Sequence, residues 1–374
     1  MKIGIDLLWV RVGKCGGTES FIRNLLSGFA EYDKENEYVL FAAKDNAESF
    51  EKYEKDSKNM RIVKCPTKSE SRVGRILWEN LHLDNVAKRE DVDLMYIPVY
   101  SMPRRRKKNN IPYVVTIHDL QGWHYPEYFS KTRLAFLKKE WKYATDNAEI
   151  IVAISEYTKD DICKYYKSAI GKIQYIYNPV KIGRVAEADA LIKWDIEPKG
   201  YFYCVSSLLP HKNLDTILKT IRYRKEKLGK QEKLVISGVG GNKVEKDAFI
   251  SHVRELGIED SIVLTGFVSN EERNLLYKEC KVFLFPSVFE GFGMPPVEAQ
   301  MLGKPVVTTD RTSIKEVTQG KAIYVDNPFD EKDWSKTIDK ALLKAPEMLS
   351  DFECFNDKNI CDKYLNIFKE IYTR

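Results

Sequence analysis

The chain has 374 residues, of which 43% are hydrophobic, 31% charged and 12% aromatic. This composition is typical of globular proteins and excludes disordered and collagen-like chains, and the length indicates two or three domains. No apolar run approaches the roughly 20 residues that cross a bilayer. The N-terminus reaches Asp6 without the long apolar region of a signal peptide. These features predict a cytoplasmic protein without a transmembrane helix.

Cysteine and histidine usage indicates free thiols and suggests no metal centre. The seven cysteines form no CxxC pair, and their odd number cannot close into a complete set of disulfides. Cys204 and Cys280 lie in or beside apolar runs and are predicted core residues. The five histidines form no HxxxH motif and no His/Cys cluster.

The net charge of +5 lies entirely within residues 1–180. It includes the basic run 104–108, of sequence RRRKK, which is a solvated loop, a nucleic-acid contact or a patch for anionic lipid headgroups. An excess of this size is small for a nucleic-acid-binding protein. No nucleic-acid partner is therefore expected.

Short β-branched or aromatic runs alternate with longer helical patterns along almost the whole chain, which predicts parallel βαβ units and an α/β fold. The predicted strands are residues 2–6, 38–42, 61–64, 94–97, 113–117, 150–154, 173–177, 201–205, 234–237, 262–265, 282–285, 306–308 and 323–325. The predicted helices are residues 18–30, 72–88, 132–145, 156–166, 214–228, 244–256, 271–278, 296–302 and 333–343. The alternation stops between residues 178 and 200, which carry loop signals, so we divide the chain into domains 1–180 and 181–351. In two doubly wound sheets, the chemistry is expected in the loops after the strands.

The clearest candidate site follows the predicted strand 282–285. Gly291 and Gly293 allow a ligand to approach the backbone closely, and the helix that begins at the next prolines offers N–H groups to an anion. Glu290 precedes this predicted phosphate cradle and Glu298 follows it, so one carboxylate can face the reactive end of a ligand and the other its distal hydroxyls. The alternative is a surface loop with a glutamate that favours the helix dipole.

A second cluster follows the predicted strand 201–205. Lys212 precedes the predicted helix 214–228, a position that is unfavourable for the helix dipole but tolerable where an anion binds. Ser206 and Ser207 add hydroxyl donors to the same loop. The alternative is that Lys212 is an exposed lysine without a ligand.

The first domain offers two weaker signals. Gly16 and Gly17 open the first predicted helix as a flexible backbone at a helix N-terminus, but their spacing does not fit the GxGxxG motif of nicotinamide-binding proteins. His118 and Asp119 directly follow the predicted strand 113–117, where a histidine is either structural or part of a site. The motifs GxSxG and GxxxxGK[ST] are absent, which argues against serine hydrolases and nucleoside triphosphate hydrolysis.

Together these motifs resemble the retaining glycosyltransferases of family 4, and within them the mannosyltransferases of O-antigen and capsule synthesis. The segments that carry the resemblance are GGTE at 16–19, ILWE at 76–79, TIHDL at 116–120, PEYF at 126–129, ISE at 154–156, LLPHKN at 208–213, GFVS at 266–269 and FEGFG at 289–293 with EA at 298–299. They follow in order through nearly the whole chain. The resemblance implies the GT-B fold, in which two Rossmann-like domains face each other across a cleft. It also implies that the final helix, about 352–371, crosses back to the N-terminal domain.

The resemblance further implies transfer of a sugar, with retention, from a nucleotide-sugar donor to a glycan or lipid-linked glycan acceptor. GDP-mannose is the favoured donor, the first domain takes the acceptor and the second takes the donor. Glu290 then holds the hydroxyls of the donor sugar, Glu298 holds the ribose, and Lys212 neutralises the departing diphosphate without a metal ion or other cofactor. His118 contacts the donor sugar or shields the oxocarbenium-like centre. The other implied contacts are Ser207, Gly266, Phe267, Gly291, Phe292, Gly293 and Met294 for the donor, and Gly16 and Gly17 as an acceptor-side phosphate loop.

The chain departs from this family pattern in two places. Many members have Gly-Arg-Leu where this chain has Ser206, Ser207 and Leu208, so the phosphate clamp rests on Lys212 unless another arginine reaches it. Asn-Pro at 178–179 replaces the usual Asn-Gly in the interdomain link. The competing interpretations are a nucleotide-sugar epimerase of the same architecture and a noncatalytic sugar-binding or nucleic-acid-binding protein. The basic first half predicts an enzyme held peripherally on the inner face of the cell membrane.

Overall fold

The computed structural model describes residues 1–104, 111–240 and 243–373. The chain divides into two compact units, of which the first contains Met1–Val180 and Glu353–Arg374 and the second contains Lys181–Phe352. Each unit is built around one parallel sheet, so the predicted α/β class with two Rossmann-like domains is confirmed. Within the part of the chain described, no helix is both long enough and apolar enough to cross a membrane.

The first unit contains a sheet of seven strands. They are β1 (Lys2–Asp6), β2 (Glu37–Ala43), β3 (Met60–Cys65), β4 (Leu94–Ile97), β5 (Tyr113–Ile117), β6 (Ile150–Ala153) and β7 (Ile173–Tyr175). The helices among them are α1 (Gly17–Tyr32), α2 (Glu51–Asp56), α3 (Arg72–Trp78), α4 (Asp84–Arg89), α5 (Gln121–His124), α6 (Lys131–Asn147) and α7 (Glu156–Tyr165). The strand order is β3-β2-β1-β4-β5-β6-β7, so the direction of progression reverses between β1 and β4. This reversal is the switch point of the first sheet.

The second unit contains a sheet of six strands. They are β8 (Tyr201–Val205), β9 (Lys233–Ser237), β10 (Ile262–Gly266), β11 (Val282–Phe285), β12 (Val306–Thr308) and β13 (Ile323–Tyr324). Its helices are α8 (Leu214–Leu228), α9 (Lys243–Glu255), α10 (Asn270–Glu279), α11 (Met294–Met301), α12 (Ile314–Val317) and α13 (Glu331–Leu343). The strand order is β10-β9-β8-β11-β12-β13, which places the second switch point between β8 and β11.

The central strands are buried along their whole length, since helices cover both faces of a parallel sheet. Every residue of β4, β5, β6 and β11 is buried. Such strands are continuous apolar runs rather than alternating patterns. This is why short β-branched and aromatic runs located them in the sequence.

The predicted helix 72–88 is interrupted in the structure. Helix α3 is followed by a π-helical turn, Glu79–Leu83, before α4 begins. Glu79 is buried and pairs with Arg75 one turn earlier. Three short helices, α2, α5 and α12, were not predicted, because four to six residues are too few to show a helical period.

Helix α14 (Asp357–Tyr372) is the last segment and packs against α1 in the first unit. Gly28 of α1 permits this close approach, because a Cβ there would lie 2.4 Å from Cys361 Sγ. Tyr364 packs edge-on against Phe29, with ring centroids 6.2 Å apart. The core of the first unit therefore combines residues from the beginning and the end of the chain.

Candidate functional site

The switch point of the second sheet brings Lys212 and Glu290 together. Lys212 lies between β8 and α8, Glu290 lies between β11 and α11, and β8 and β11 are neighbours in the sheet. Lys212 Nζ is 2.6 Å from Glu290 Oε1, and the two side chains are 21% and 14% exposed. Ligands of open parallel sheets bind in the crevice at such a switch point. This partly buried ion pair is the centre of the candidate site.

The loop that carries Glu290 is held by hydroxyl groups from the next connection in the sheet. The Glu290 N–H donates to Thr312 Oγ1 at 3.1 Å. Ser313 Oγ is 3.0 Å from the carbonyl oxygen of Glu290 and 2.8 Å from that of Phe292. Both hydroxyls follow β12, which pairs with β11. The position of Glu290 is therefore fixed by its backbone as well as by Lys212.

His211 is buried beside Lys212, and its backbone joins the loop after β8 to the loop after β11. Its carbonyl oxygen accepts a hydrogen bond from the Val288 N–H at 2.9 Å. Burial lowers the pKa of His211 to about 4, and the positive charge of Lys212 adds to this effect. The imidazole is therefore neutral at pH 7, and Lys212 is the cation of this turn.

Helix α11 presents fewer amide donors than most helices do at their N-termini. Gly293 is its N-cap residue and has a φ of 98°, where a side chain would be strained. Pro295 and Pro296 follow in the first turn and have no N–H group. A phosphate bound by the backbone of residues 291–294 would therefore depend strongly on the charge of Lys212.

Glu298 extends from α11 to α10, which holds both of its carboxylate oxygens. Arg273 Nη2 donates to Glu298 Oε1 at 3.1 Å, and Tyr277 Oη donates to Oε2 at 2.8 Å. Burial raises the pKa of Tyr277 well above its usual value, so the hydroxyl keeps the proton that it donates. An ionised carboxylate has about four acceptor positions, and these two hydrogen bonds occupy two of them.

Ser207, Gly266 and Phe267 lie along the same carboxyl edge of the second sheet. Ser207 follows β8, and its carbonyl oxygen accepts a hydrogen bond from Ser206 Oγ at 3.0 Å. Gly266 ends β10 with a φ of 68°. The Phe267 side chain is 77% exposed and lies so close to Gly240 that a Cβ there would be 2.5 Å from the ring. An exposed ring in this position is suited to stacking on a planar base.

In the first unit, His118 follows β5 as a neutral and oriented imidazole. Its Nε2 is 2.8 Å from the carbonyl oxygen of Pro98, and because a carbonyl only accepts, Nε2 carries the proton and Nδ1 the lone pair. Burial lowers the pKa of His118 to about 4 despite the opposing effect of this hydrogen bond. The ring packs edge-on against Phe21, with centroids 5.0 Å apart. Asp119 Oδ1 accepts a hydrogen bond from the Gln121 N–H at 2.9 Å.

Gly16 and Gly17 lie at the N-terminus of α1, where Glu19 closes the preceding loop. Gly16 is the N-cap residue, with a φ of 54°. Glu19 Oε2 accepts a hydrogen bond from the Gly13 N–H at 2.9 Å, and Oε1 pairs with Arg23 at 2.9 Å. A phosphate at the two glycines would lie near this carboxylate, and their acceptor-side role stays a prediction.

Of the basic run 104–108, only Arg104 is among the described residues. Arg104 pairs with Glu140, and its guanidinium carbon is 3.8 Å from the centroid of the Tyr143 ring. The Arg104 N–H donates to Asn80 Oδ1 at 2.8 Å. Arg104 therefore packs within its own unit, and a test of membrane binding has to leave it unchanged. Residues 105–108 lie outside the described residues.

Thiols and possible metal ligands add no further centre in the part of the chain that the structure describes. No group of three or more His, Cys, Asp and Glu side chains there is arranged to hold a metal ion. All seven cysteines are free thiols. Cys204 and Cys280 are buried in the core, as predicted.

Four residues that shape the site were not predicted from the sequence. Thr312 and Ser313 follow a three-residue strand and belong to no motif that singles them out. Arg273 and Tyr277 are four residues apart on α10 and therefore share one face of that helix. The four-residue spacing of Arg273 and Tyr277 was the signal that could have indicated that both side chains bind the same group.

Two family models match the chain, one in each half. The model described as Glycosyltransferase Family 4 matches residues 15–184, and the model described as Glycosyl transferases group 1 matches residues 191–353. The six residues between the two matches lie just after the boundary of the two compact units. Together the matches span most of the chain.

Two curated relatives are O-antigen chain mannosyltransferases. RfbU of Salmonella typhimurium is 31% identical over 239 residues, which are 64% of this chain and 63% of the relative. O-antigen chain mannosyltransferase B of Escherichia coli is 28% identical over 62% of this chain and 61% of the relative. The chain thus matches somewhat less than two thirds of the length of either relative.

Among solved structures, sucrose-phosphate synthase from Thermosynechococcus elongatus has the same fold. Its TM-score is 0.80 at 16% sequence identity, and the match covers 100% of this chain and 99% of that chain. At this identity the likeness concerns the fold alone, which is the two-domain α/β fold of the GT-B class. Because one glycosyltransferase family model matches each half of the chain, over residues 15–184 and 191–353, the protein belongs to the glycosyltransferases that these two models describe.

Proposed function

We propose that the protein is a retaining glycosyltransferase that moves a sugar from a nucleotide-sugar donor to a glycan or lipid-linked glycan acceptor. The observation that carries this proposal is the ion pair of Lys212 and Glu290 at the switch point of the second sheet. A departing nucleoside diphosphate is stabilised by a preorganised cation, and Lys212 supplies one. Glu290 lies beside it with a carboxylate that can accept hydrogen bonds from sugar hydroxyls. The names of the two relatives, both O-antigen chain mannosyltransferases, favour mannose and hence GDP-mannose as the donor.

The second unit then binds the nucleotide part of the donor along the same edge. Glu298 accepts hydrogen bonds from the ribose through its remaining acceptor positions, and the backbone of residues 291–294 contacts the diphosphate. Phe267 stacks on the base, and Ser207 adds a hydroxyl donor near the phosphates. Because Lys212 supplies the positive charge, we expect transfer to continue in the presence of a metal chelator.

The first unit takes the acceptor. His118 contacts the donor sugar or the reacting centre as a neutral group, and the lone pair of Nδ1 accepts a hydrogen bond from a hydroxyl group.

We also propose that the protein works at an anionic membrane surface, to which residues 105–108 contribute positive charge. Changing Arg105 and Arg106 to Ser, with Arg104 unchanged, should then weaken binding to anionic vesicles at low salt.

Nucleotide binding and sugar transfer test the proposal directly. The full chain is heated with GDP, UDP, dTDP or ADP, and a ligand at 100 times its Kd should stabilise the fold by about 2.7 kcal/mol. Labelled sugar is then followed from the preferred donor, and the anomeric configuration of the product is read by NMR. We expect GDP to stabilise most and the configuration to be retained. If no nucleotide stabilises the fold and no labelled sugar is transferred or hydrolysed, the proposal fails.

A further inference from the structure

Two threonines at the carboxyl end of β12 bond the backbone of the neighbouring strand β11 and of the loop that follows it. Thr308 Oγ1 donates to the carbonyl oxygen of Phe285 at 2.7 Å, and Thr309 Oγ1 donates to that of Ser287 at 2.7 Å. Both threonines are fully buried. Because their hydroxyls bond backbone atoms, they fix the course of the chain between β11 and α11.

The connection from β12 to α12 continues this series of hydroxyls at the candidate site. Thr312 Oγ1 accepts the Glu290 N–H at 3.1 Å, and Ser313 Oγ lies 3.0 Å from the carbonyl oxygen of Glu290 and 2.8 Å from that of Phe292. Ser313 is fully buried. Both backbone polar groups of Glu290 are therefore bonded by side chains of one neighbouring connection.

Thr312 adopts a backbone conformation that its own side chain disfavours. Its φ is 52°, which lies in the left-handed region, where a β-branched residue is an outlier. The other described non-glycine residues with a positive φ are aspartate, asparagine, lysine and glutamine residues, none of which is branched at Cβ. Strain of this kind persists only where the surrounding structure holds it, and it clusters at active sites. Glycine would adopt this φ without strain, but it has no hydroxyl to accept the Glu290 N–H.

The ion pair with Lys212 is not a sufficient hold on Glu290 during the proposed reaction. Lys212 Nζ is 2.6 Å from Glu290 Oε1 and is also the proposed partner of the departing diphosphate. A bound nucleotide-sugar therefore competes with Glu290 for the same ammonium group. The hydrogen bonds of Thr312 and Ser313 go to the backbone of Glu290 and do not depend on Lys212, so they remain when the ion pair opens.

We propose that Thr312 and Ser313 are positioning residues, which hold the backbone of Glu290 so that its carboxylate meets the donor sugar in the orientation that transfer requires. This inference rests on the proposed function, because it concerns how Glu290 performs the role proposed for it. The strained backbone of Thr312 is the structural cost of placing a hydroxyl within reach of the Glu290 N–H.

Three variants of Thr312 separate the hydroxyl from the strained backbone. Thr312→Val keeps the branched side chain without the hydroxyl, Thr312→Gly removes both the hydroxyl and the strain, and Thr312→Ser keeps the hydroxyl. We expect kcat to fall about 10- to 100-fold in the valine and glycine variants, as for a displacement of the reacting groups by up to about 1 Å. Thr312→Ser should retain most of the wild-type rate. Stabilisation by GDP should be unchanged in all three variants, because GDP lacks the sugar that Glu290 is proposed to contact.

Urea unfolding shows whether the rate follows the hydroxyl or the stability of the fold. Thr312→Gly should be at least as stable as Thr312→Val, since glycine adopts the φ of this position without strain. The two variants should nevertheless be equally slow. A wild-type kcat in Thr312→Gly, or a Thr312→Ser protein as slow as Thr312→Val, would overturn the role of the hydroxyl.

The matched control is Thr220→Val in the same unit. Thr220 is also fully buried, and its Oγ1 donates to the carbonyl oxygen of Thr216 within α8 at 2.8 Å. This change should lower the free energy of unfolding and leave kcat at the wild-type value. Should Thr312→Val fail to fold, Ser313→Ala replaces it, with the same loss of kcat and the same stabilisation by GDP expected.

Hydrogen exchange tests the contact independently of any activity. The exchange of the Glu290 backbone N–H is followed by NMR on the full chain. It should be about 10-fold faster in Thr312→Val than in the wild type, the factor for the loss of one hydrogen bond, and unchanged in Thr312→Ser. If the wild type transfers no sugar, the proposed function fails, whereas faster exchange in Thr312→Val still supports the hold on Glu290. Equal exchange in Thr312→Val and the wild type would overturn the positioning role even where transfer is observed.

Discussion

The two sheets have the same strand order, but the side chains at their carboxyl edges differ in charge. In the second unit Lys212 is matched by Glu290 at 2.6 Å. In the first unit His118, which follows β5, is neutral at pH 7 and lies 2.8 Å from the carbonyl oxygen of Pro98. An anion that displaces Glu290 can therefore bind Lys212, whereas His118 offers only the donor and the acceptor of a neutral ring.

The largest effect on sugar transfer is expected from removing the negative charge of Glu290 in the second unit. Under the proposed function, Glu290→Gln should lower the rate of sugar transfer by about 10³-fold or more, because it removes the charge that we propose to contact the reacting sugar. The same change leaves Lys212 unmatched, so the affinity for GDP should stay the same or rise. Transfer and GDP binding are measured on the same preparation.

The matched control for this change is Glu226→Gln, which alters an exposed glutamate paired with Arg222 on α8. It should leave both transfer and GDP affinity at wild-type values. If Glu290→Gln also behaves like the wild type, the ion pair of Lys212 and Glu290 is not part of the reaction.

Removing the cation is expected to have the next largest effect. Lys212→Ala should lower kcat by roughly 10²- to 10³-fold, which is the range for losing one preorganised electrostatic donor. Lys212→Arg should recover part of the loss, because it restores the charge in a different geometry. Lys219→Ala, on the exposed pair with Asp215, serves as the control. Near-normal kcat in Lys212→Ala would mean that another cation carries the diphosphate, and Ser207 would no longer be a meaningful departure from the family pattern.

The variant Glu298→Ala tests whether one carboxylate can both stabilise the fold and bind a ligand. Glu298→Ala should raise the KM for the donor about 10-fold, because the proposed ribose contact would exist in both the ground state and the transition state. It should also lower the free energy of unfolding by about 1–3 kcal/mol, since Arg273 and Tyr277 lose a buried acceptor. Steady-state kinetics and urea unfolding measure the two effects. A fall in kcat with unchanged KM would contradict the ribose contact.

The smallest expected effect concerns a feature that both units share, a histidine whose pKa is lowered by burial. The pKa values of His118 and His211 are both lowered to about 4, whereas those of the unfolded chain lie near 6.5. Between pH 6.5 and 4 the unfolded state therefore binds more protons, and acidification lowers the free energy of unfolding. From pH 6.5 to 5 the loss should be roughly 1–2 kcal/mol for each histidine.

Urea unfolding of the wild type, His118→Asn and His211→Asn at these two pH values measures this loss. Each variant should lose less stability on acidification than the wild type does. Burial raises the pKa of Asp6 to about 6 and that of Glu79 to about 8, so their contributions change in the opposite direction with pH. Because the variants retain both carboxyl groups, the difference from the wild type isolates the histidine. Identical pH dependence in variant and wild type would contradict the buried, neutral imidazole.

Local sequence signals predicted most of the fold and single residues of the site. Buried parallel strands are apolar runs, so 94–97, 113–117 and 282–285 were located to the residue. The π-helical turn at Glu79 was missed, because the sequence through it keeps a helical pattern and the buried pair with Arg75 is not visible in composition.

Contacts between distant residues were beyond the reach of local signals. Lys212 and Glu290 were each predicted, but their contact joins residues 78 positions apart and depends on the pairing of β8 with β11.

The position of α14 has a consequence for how the chain is made. The first unit needs α14 to cover Gly28 and Phe29, yet this helix is translated after the whole of the second unit. The second unit, residues 181–352, is contiguous and is complete before α14 is translated. At usual rates of synthesis, the first unit waits roughly 10 to 40 s for its final helix. The half of the protein that is translated second is therefore the half that can finish folding first.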